Sequence, residues 1–147
     1  MNIAIVNGKS EGPTRLNAFD NALTDAGIGD VNLIKVSSML AGNTRIKNLP
    51  KLKAGAMVNC VLASTTSDTP GDTIIAVVAV AIGEELGCVT GVNKDYNDLC
   101  VEAKSMAEYM MNKRGVPIED IFVEYSCTVV EDVASVVASV VYLDTVQ

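Results

Sequence analysis

Ten consecutive residues at 73–82, Thr-Ile-Ile-Ala-Val-Val-Ala-Val-Ala-Ile, carry almost no polarity and are rich in β-branched side chains. The run is too short to span a bilayer as a helix, which takes roughly 20 residues. β-Branched residues lose side-chain freedom in helices and pack well in sheets, so they favour strands. The run therefore predicts a buried strand, around which the rest of the chain must be arranged.

The other elements are predicted from periodicity and turn residues. Amphipathic patterns at 13–26 and 98–114, each followed by glycine, predict two helices. Further strands are predicted at 1–6, 31–38, 56–65, 87–92, 121–130 and 133–143, with turns at 7–12 and 93–97 and a long loop at 39–54. The second helix should bury Leu99, Ala103, Met106, Ala107 and Met110. About seven strands and two helices indicate one domain of the α+β class.

Charge and the absence of histidine exclude several functions. The net charge is -7, and the lysines and arginines are scattered rather than gathered in a basic stripe, so no nucleic acid is expected as a partner. The chain contains no histidine, which excludes Ser-His and Cys-His nucleophile pairs and histidine metal sites. Catalysis must therefore use carboxylates, hydroxyls, lysines, thiols or a group that the chain makes from itself.

The cysteines and the first residues indicate the compartment. Cysteines at 60, 88, 100 and 127 form no Cys-x-x-Cys pair and lie in apolar stretches, as buried thiols in a reducing compartment do. The first residues lack a basic leader and are typical of a strand rather than a signal peptide. We therefore expect a cytoplasmic protein with no membrane span and no metal.

The most specific motif is a pair of serines at the end of a predicted strand. Ser37-Ser38 follows Ala-Gly-Ile-Gly at 26–29 and Val-Asn-Leu-Ile at 31–34. Before them stand Ser-Glu-Gly at 10–12 and Leu-Asn-Ala-Phe-Asp at 16–20, and after them Pro-Lys-Leu at 50–52 and Gly-Ala at 55–56. In this order and spacing, the motifs resemble the pyruvoyl-dependent arginine decarboxylase family over nearly the whole chain.

The resemblance implies a proenzyme that cleaves itself between Ser37 and Ser38. The Ser38 hydroxyl would attack the Ser37 carbonyl carbon, and elimination would leave a β chain of residues 1–37 and an α chain of residues 38–147 headed by a pyruvoyl group. A planar trans peptide resists such attack, so the precursor must hold this bond strained or well aligned. Asn32 matches the family's asparagine that assists cleavage, and the strand period puts it on the same face as Ser38.

The implied reaction is the decarboxylation of arginine to agmatine, a step towards polyamines, with the pyruvoyl group as the covalent cofactor. Asp20 matches the family's carboxylate for the guanidinium group, whose forked shape suits a carboxylate. Leu16 and the backbone near Gly29 and Val31 complete the implied substrate pocket. The family also implies a four-layer αββα sandwich, assembled as a homotrimer or a dimer of trimers with each site between neighbouring subunits.

The sequence departs from the family immediately after the serine pair. The family continues with two apolar residues and two prolines, whereas this chain continues with Met39-Leu40 and then Ala41-Gly42. Proline restricts the backbone, so its loss should leave this segment less rigid. The departure therefore bears on how well the site is held.

A second departure concerns the proton donor that the family uses after decarboxylation. Its glutamate, on the strand before the last helix, falls on Val89, Gly91 or a neighbour, none of them acidic. Glu84, Glu85 and Asp95 flank that strand and are the candidate replacements. Loss of a general acid costs about 10²–10⁴-fold in rate. The alternatives are a slow decarboxylase, an enzyme with another acid, an inactive paralogue that assembles with an active subunit, and a pyruvoyl decarboxylase for another amino acid.

Overall fold

The computed structural model describes residues 1–95 and 99–144, without the side chains of residues 94 and 95. The elements of these ranges, in chain order, are β1 (Asn2–Glu11), α1 (Arg15–Asp25), β2 (Asn32–Lys35), β3 (Met39–Ala41), β4 (Arg45–Ile46), β5 (Met57–Ser67), β6 (Thr73–Ile82), β7 (Leu86–Asp95), α2 (Leu99–Lys113), β8 (Asp120–Val129) and β9 (Ala134–Tyr142).

The strands form two sheets that pack face to face. One sheet has five strands in the order β2-β5-β9-β1-β4, and the other has four in the order β3-β7-β6-β8. Helix α1 covers the outer face of the five-stranded sheet, and α2 covers the outer face of the four-stranded sheet. This arrangement confirms the four-layer αββα sandwich expected from the sequence.

The central strand β6 is buried on both faces, as its composition predicts. Val78 and Val80 face the five-stranded sheet, whereas Val77 and Ala79 face α2, and all four are fully buried. Strand β9 alternates in the same way in the other sheet, between the inter-sheet core and α1. A strand that is apolar on both faces has to lie between two layers, so these two strands fix the order of the four layers.

Helix α1 is bounded by signals in its own sequence. The Thr14 side chain caps the start by accepting a hydrogen bond from the Asn17 N–H at 3.1 Å. At the other end Gly27 adopts a φ of +84°, which glycine tolerates because it has no Cβ. The Ile28 N–H then donates to the Leu23 carbonyl at 3.0 Å and closes the helix. The chain is thereby turned back towards the start of β2.

Several predicted boundaries are wrong, because pairing with distant strands decided them. The predicted turn at 7–12 is mostly strand, since β1 continues to Glu11 through its pairing with β9. The predicted loop at 39–54 contains the short strands β3 and β4, paired with β7 and β1. The predicted turn at 93–97 begins with the end of β7, and its residues 96 and 97 lie outside the described residues.

The buried stripe of α2 also differs from the prediction. Met111 is fully buried, whereas Met106 is 37% exposed. Leu99, Ala103 and Ala107 are buried as expected. The helix is therefore rotated on the sheet relative to the predicted stripe, because Met111 packs together with the residues that follow the helix, including Val116.

The cysteines are free thiols that take part in packing. Cys60 and Cys88 are fully buried, and burial raises the pKa of both thiols, as it does that of Cys100. No helix in the described part of the chain is both long enough and apolar enough to cross a membrane.

Candidate active site

The chain crosses from one sheet to the other at Ser37 and Ser38. The Val36 N–H donates to the Cys60 carbonyl of β5 at 2.9 Å, which ties the preceding residue to the five-stranded sheet. The Ser38 carbonyl accepts a hydrogen bond from the Val89 N–H of β7 at 2.8 Å, which attaches Ser38 itself to the four-stranded sheet. The Ser37–Ser38 peptide is therefore held from both sides by backbone hydrogen bonds to different sheets.

This crossing corrects the predicted strand at 31–38. Strand β2 ends at Lys35, and Ser38 belongs to the approach to β3 in the other sheet. The sequence pattern could not reveal the change because both segments are extended. In the described backbone the only non-glycine residue with a left-handed φ is Asn43, so neither serine is strained in that sense. The backbone hydrogen bonds to the two sheets support alignment as the means of holding the bond.

A buried phenol lies beside the residue that follows the serine pair. Tyr142 of β9 is only 6% exposed, and its hydroxyl donates to the Met39 carbonyl at 2.8 Å. Burial raises the pKa of Tyr142, and the neighbouring Cys60 raises it further, so the phenol stays protonated at neutral pH and remains a donor. No local pattern predicts this contact, because Tyr142 and Met39 lie about a hundred residues apart in the chain and only the packing of the two sheets brings them together.

Close packing takes the place of the family's prolines after the serines. A Cβ added to Gly42 would lie 2.1 Å from the carbonyl oxygen of Glu84, so proline could not stand there without a shift of the backbone. The Asn43 N–H donates to the same β6–β7 turn at 3.0 Å, and the Thr44 hydroxyl donates to the Ala41 carbonyl at 2.6 Å. These contacts oppose the loss of rigidity expected from the missing prolines, which stays a prediction.

The face of β7 next to Ser38 carries the positions on which the family's glutamate would fall. Val89, Gly91 and Asn93 face the five-stranded sheet, and the Asn93 amide donates to the Ser64 carbonyl at 2.8 Å. A Cβ added to Gly91 would meet the Ala63 methyl at 3.4 Å and the Val77 carbonyl oxygen at 3.8 Å, both ordinary contacts, so the backbone tolerates a Cβ at this position. None of the side chains described on this face is acidic.

Two of the three flanking carboxylates, Glu84 and Glu85, lie too far away to serve Ser38 within one protomer. Glu84 and Glu85 are exposed at the β6–β7 turn, roughly 13–16 Å along the extended strand from the residue opposite Ser38. Together with Glu119 they line a separate cavity of about 160 Å³. The side chain of Asp95, the third candidate, lies outside the described residues.

The predicted substrate residues share one surface at the outer side of α1. Leu16, Asp20 and Thr24 are spaced by four and therefore lie along one exposed face of the helix, with Leu16 74% exposed. A Cβ added to Gly29 would lie 2.3 Å from the Thr24 hydroxyl oxygen, so this glycine is required by the close approach of the two segments. The end of the helix and residue 29 thus form a continuous surface.

A cleft of about 330 Å³ opens where this surface meets the 49–52 segment. Gly29 and Val31 line it, whereas on α1 only Thr24 does. Asp20 lies about one helical turn before Thr24, and Leu16 about two turns before it. Asp30 and Lys51 also line the cleft and were not singled out from the sequence. The carboxylate of Asp30 could be placed beside the cleft only from the structure, which shows that the end of α1 and the start of β2 meet there.

The cleft and the serine pair lie at opposite ends of β2. Val31 and Val36 are five extended residues apart, roughly 16 Å. Asn32 lies at the cleft end, where its amide donates to the Gly55 carbonyl at 3.1 Å. One protomer therefore does not bring Asn32 and the substrate residues into contact with Ser38.

Beyond β2 the edge of β5 is capped by side chains. The Asn93 amide donates to the Ser64 carbonyl, and Arg15 donates to the Thr66 carbonyl at 3.1 Å while it lies 3.8 Å from the Asp68 carboxylate. An uncovered strand edge readily pairs with another chain. These caps protect the edge beside the serine pair without covering Ser37, which is exposed.

A family model described as pyruvoyl-dependent arginine decarboxylase matches residues 2–147. A protein of that name from Methanothermobacter thermautotrophicus is 54% identical over 147 residues, which cover 98% of this chain and 97% of the relative. Another, from Methanocaldococcus jannaschii, is 40% identical over 133 residues, 84% of this chain and 80% of the relative.

Among solved structures, a pyruvoyl-dependent histidine decarboxylase matches with a TM-score of 0.53 and 12% identity, over 63% of this chain and 52% of that protein. At this identity the match supports the fold alone. The family match and the two relatives extend over most or nearly all of the chain and include the serine pair at the crossing between the sheets. The chain therefore belongs to the pyruvoyl-dependent arginine decarboxylase family.

Proposed function

We propose that this chain cleaves itself between Ser37 and Ser38 and then decarboxylates arginine to agmatine. The observation that carries the proposal is the position of the serine pair at the crossing between the sheets, with hydrogen bonds to a different sheet on either side. Two such anchors restrict rotation of the peptide and would thereby help to align the Ser38 hydroxyl with the Ser37 carbonyl carbon. Such positioning is a recognised source of rate acceleration in intramolecular reactions.

The residues around Ser38 are suited to holding a pyruvoyl group made in place. The Val89 N–H would retain the Ser38 carbonyl, which becomes the amide carbonyl next to the ketone. When formed, the group supplies an electrophilic carbonyl that condenses with the substrate amine and withdraws electrons as carbon dioxide leaves. The exposed position of Ser37 leaves an opening through which its chain end can depart and substrate can enter.

The cleaved fragments would remain assembled. Residues 1–37 include β1, α1 and β2, and β1 pairs with β9 from Ile3 opposite Tyr142 to Glu11 opposite Ala134. Helix α1 adds the fully buried Ala18 and Ala22 to the core against the five-stranded sheet. Cutting one exposed bond removes none of these contacts, so the β chain would stay in place as an integral part of the fold.

The substrate site would be completed by a neighbouring subunit. Asp20 and the cleft lie at one end of β2 and Ser38 at the other, so the guanidinium-binding residues of one protomer would serve the Ser38 of the next. Exposed apolar side chains on α1, β2 and the start of β5 support an interface, with Leu16 at 74%, Ile34 at 41% and Met57 at 45%. We infer a homotrimer, or a dimer of trimers, as the assembly that repeats this contact around a closed ring.

The same separation of cleft and serine pair supports a role for Asn32 in the site of the neighbouring subunit. It lies next to Val31 of the cleft, so it would approach the serine pair only across the interface. There its amide would donate to the oxyanion that forms at the Ser37 carbonyl during self-cleavage. The four free thiols suit a reducing compartment, which supports a cytoplasmic location.

A second candidate function is a non-catalytic subunit that assembles with an active relative. The face of β7 beside Ser38 favours it, since Val89, Gly91 and Asn93 provide no acid to protonate the product. A slow enzyme, or one that takes its acid from a neighbouring subunit, agrees with the same geometry. Turnover of arginine compared with lysine and ornithine would separate these candidates and would test the substrate class.

The first prediction concerns self-cleavage. Purified wild-type protein should give two masses under denaturing conditions, split between Ser37 and Ser38, yet run as one species under native conditions. Ser38→Ala should give a single uncut chain, because it removes the attacking hydroxyl. Intact-mass spectrometry and native gel filtration make the measurement, and a wild-type chain that stays whole would instead favour the non-catalytic subunit.

The second prediction concerns the guanidinium-binding carboxylate. Asp20→Asn should lower kcat/KM for arginine roughly 10- to 100-fold, mainly through KM, because a hydrogen bond to a charged group contributes about 1.5–3 kcal/mol. Self-cleavage should be unaffected. Asp132→Asn, at the exposed β8–β9 turn, makes the same charge change away from the cleft and should have little effect. Equal effects of the two variants would remove Asp20 from the site.

The third prediction tests Asn32 across the interface. Asn32→Ala chains alone should process at less than about a tenth of the wild-type rate, as expected for loss of an oxyanion donor. When co-expressed with Ser38→Ala chains, which retain Asn32, they should regain cleavage, and mass spectrometry distinguishes the two chains. Asn112→Ala on the exposed face of α2 is the control. Mixed assemblies without regained cleavage would argue against action on a neighbour.

The fourth prediction concerns the missing acid. Gly91→Glu should raise the rate of arginine decarboxylation at least about tenfold if protonation limits turnover, since a general acid contributes about 10²–10⁴-fold. Gly91→Gln has the same size without the acidity and should give no gain. If the two variants behave alike in steady-state assays, the acid comes from elsewhere or protonation is not limiting.

A further inference from the structure

We propose that Tyr142 is a positioning residue for self-cleavage, and that its hydroxyl holds Met39 so that Ser38 stays aligned with the peptide bond it attacks. The inference rests on the proposed self-cleavage at Ser37–Ser38 and adds a residue to it. It follows from one contact, the hydrogen bond of 2.8 Å from the Tyr142 hydroxyl to the Met39 carbonyl.

Close to Ser38 the segment that enters the four-stranded sheet has few other anchors, because the hydrogen bonds of Asn43 and Thr44 lie further along the chain. Strand β3 is three residues long and is the outermost strand of its sheet, paired only with β7. The Ser38 carbonyl points towards β7, where Val89 donates to it. Carbonyls alternate in direction along a strand, so the Met39 carbonyl points to the side away from β7. Tyr142 supplies the donor on that side.

The phenol is itself held firmly. Tyr142 belongs to β9 in the centre of the five-stranded sheet, where it pairs with Ile3 of β1. Its ring is packed in the inter-sheet core together with Ile3 and Leu40, so the hydroxyl reaches across from one sheet to the other. A rigid ring with one polar atom fixes its partner at small cost in side-chain entropy. The position of Met39, and with it Ser38, is thereby tied to the central strand of the other sheet.

The chemistry of cleavage indicates when this anchor matters. Attack forms a bond between the Ser38 Oγ and the Ser37 carbonyl carbon and breaks the Ser37 C–N bond, with the hydroxyl proton passing to the nitrogen. Loss of the Ser38 Cα proton then breaks the Cβ–Oγ bond, which releases the Ser37 carboxylate and leaves dehydroalanine. One water converts this to the ketone with release of ammonia.

Once the C–N bond is broken, Ser38 is a chain end attached through the ester alone to β2. Its alignment for elimination then depends on the Val89 hydrogen bond, the short ladder of β3 and the Tyr142 contact. If the segment moves, the ester lasts longer and water can hydrolyse it. Hydrolysis also consumes one water but releases no ammonia, and it leaves an α chain that begins with serine instead of a pyruvoyl group. The two products differ in mass by one ammonia.

The test compares Tyr142→Phe with a matched control in the full-length chain. Phenylalanine retains the buried ring and removes only the hydroxyl. Thr65→Val is the control, because the Thr65 hydroxyl also bridges the sheets, donating to the Ile75 carbonyl at 2.8 Å near the other end of β6. Both variants lose one inter-sheet hydroxyl-to-carbonyl bond, but only the first lies beside Ser38.

Cell-free synthesis followed by intact-mass measurement over time gives both the cleavage rate and the identity of the new N-terminus. Tyr142→Phe should cleave about three- to tenfold more slowly, which corresponds to the net contribution of one hydrogen bond. It should also yield a clear share of α chain beginning with serine. Thr65→Val should cleave at the wild-type rate to the pyruvoyl form, even where thermal unfolding shows a similar loss of stability.

Two results would overturn the assignment. One is a Tyr142→Phe chain that cleaves at the wild-type rate and wholly to the pyruvoyl form. The other is a slowing of both variants in proportion to their loss of stability, which would mean that the phenol acts through the fold alone. A wild-type chain that does not cleave would instead overturn the proposed function itself. The mass of the wild-type chain shows this outcome before any variant is compared.

Discussion

The two sheets pack against each other through strands that are apolar on both faces, and this constraint organises the molecule. β6 and β9 are the centres of their sheets because neither can expose a face to water. Each therefore carries a second sheet on one side and a helix on the other. The outer strands β2, β3, β4 and β8 fill the edges, where partly polar segments are tolerated.

The candidate active site lies where the chain crosses between the two sheets and has no strand partner. A chain that leaves one sheet for another must pass through a stretch that belongs to neither, and here that stretch is Ser37 and Ser38. Backbone hydrogen bonds on both sides compensate for the absence of strand pairing at the serine pair, where Ser37 remains exposed to solvent. Gly42 and Tyr142 extend this anchoring, the first by allowing the β6–β7 turn to press against the segment and the second by bridging the sheets. The backbone around the serine pair is thus held in place while Ser37 stays accessible from solvent.

The length of β2 connects the fold to assembly. The strand separates the cleft at Gly29 and Val31 from the serine pair by roughly 16 Å, more than the length of an arginine molecule, so one protomer does not bring the two together. An interface formed by exposed apolar residues such as Leu16 and Ile34 would bring the cleft of one subunit to the serine pair of the next. Subunit association would then control access to substrate and the placement of Asn32 together.

The sequence by itself determined the α+β class, the buried strand at 73–82, both helices and the family motif around Ser37-Ser38, because these depend on local composition and spacing. It also located Asp20, Leu16, Gly29 and Val31 through the motif. Only the tertiary structure decided that residues 31–38 divide between two sheets, that residues 39–46 contain edge strands, and that Tyr142 contacts Met39. An edge strand and an inter-sheet contact are set by partners distant in the chain, and a local pattern holds no information about which partner will be nearest.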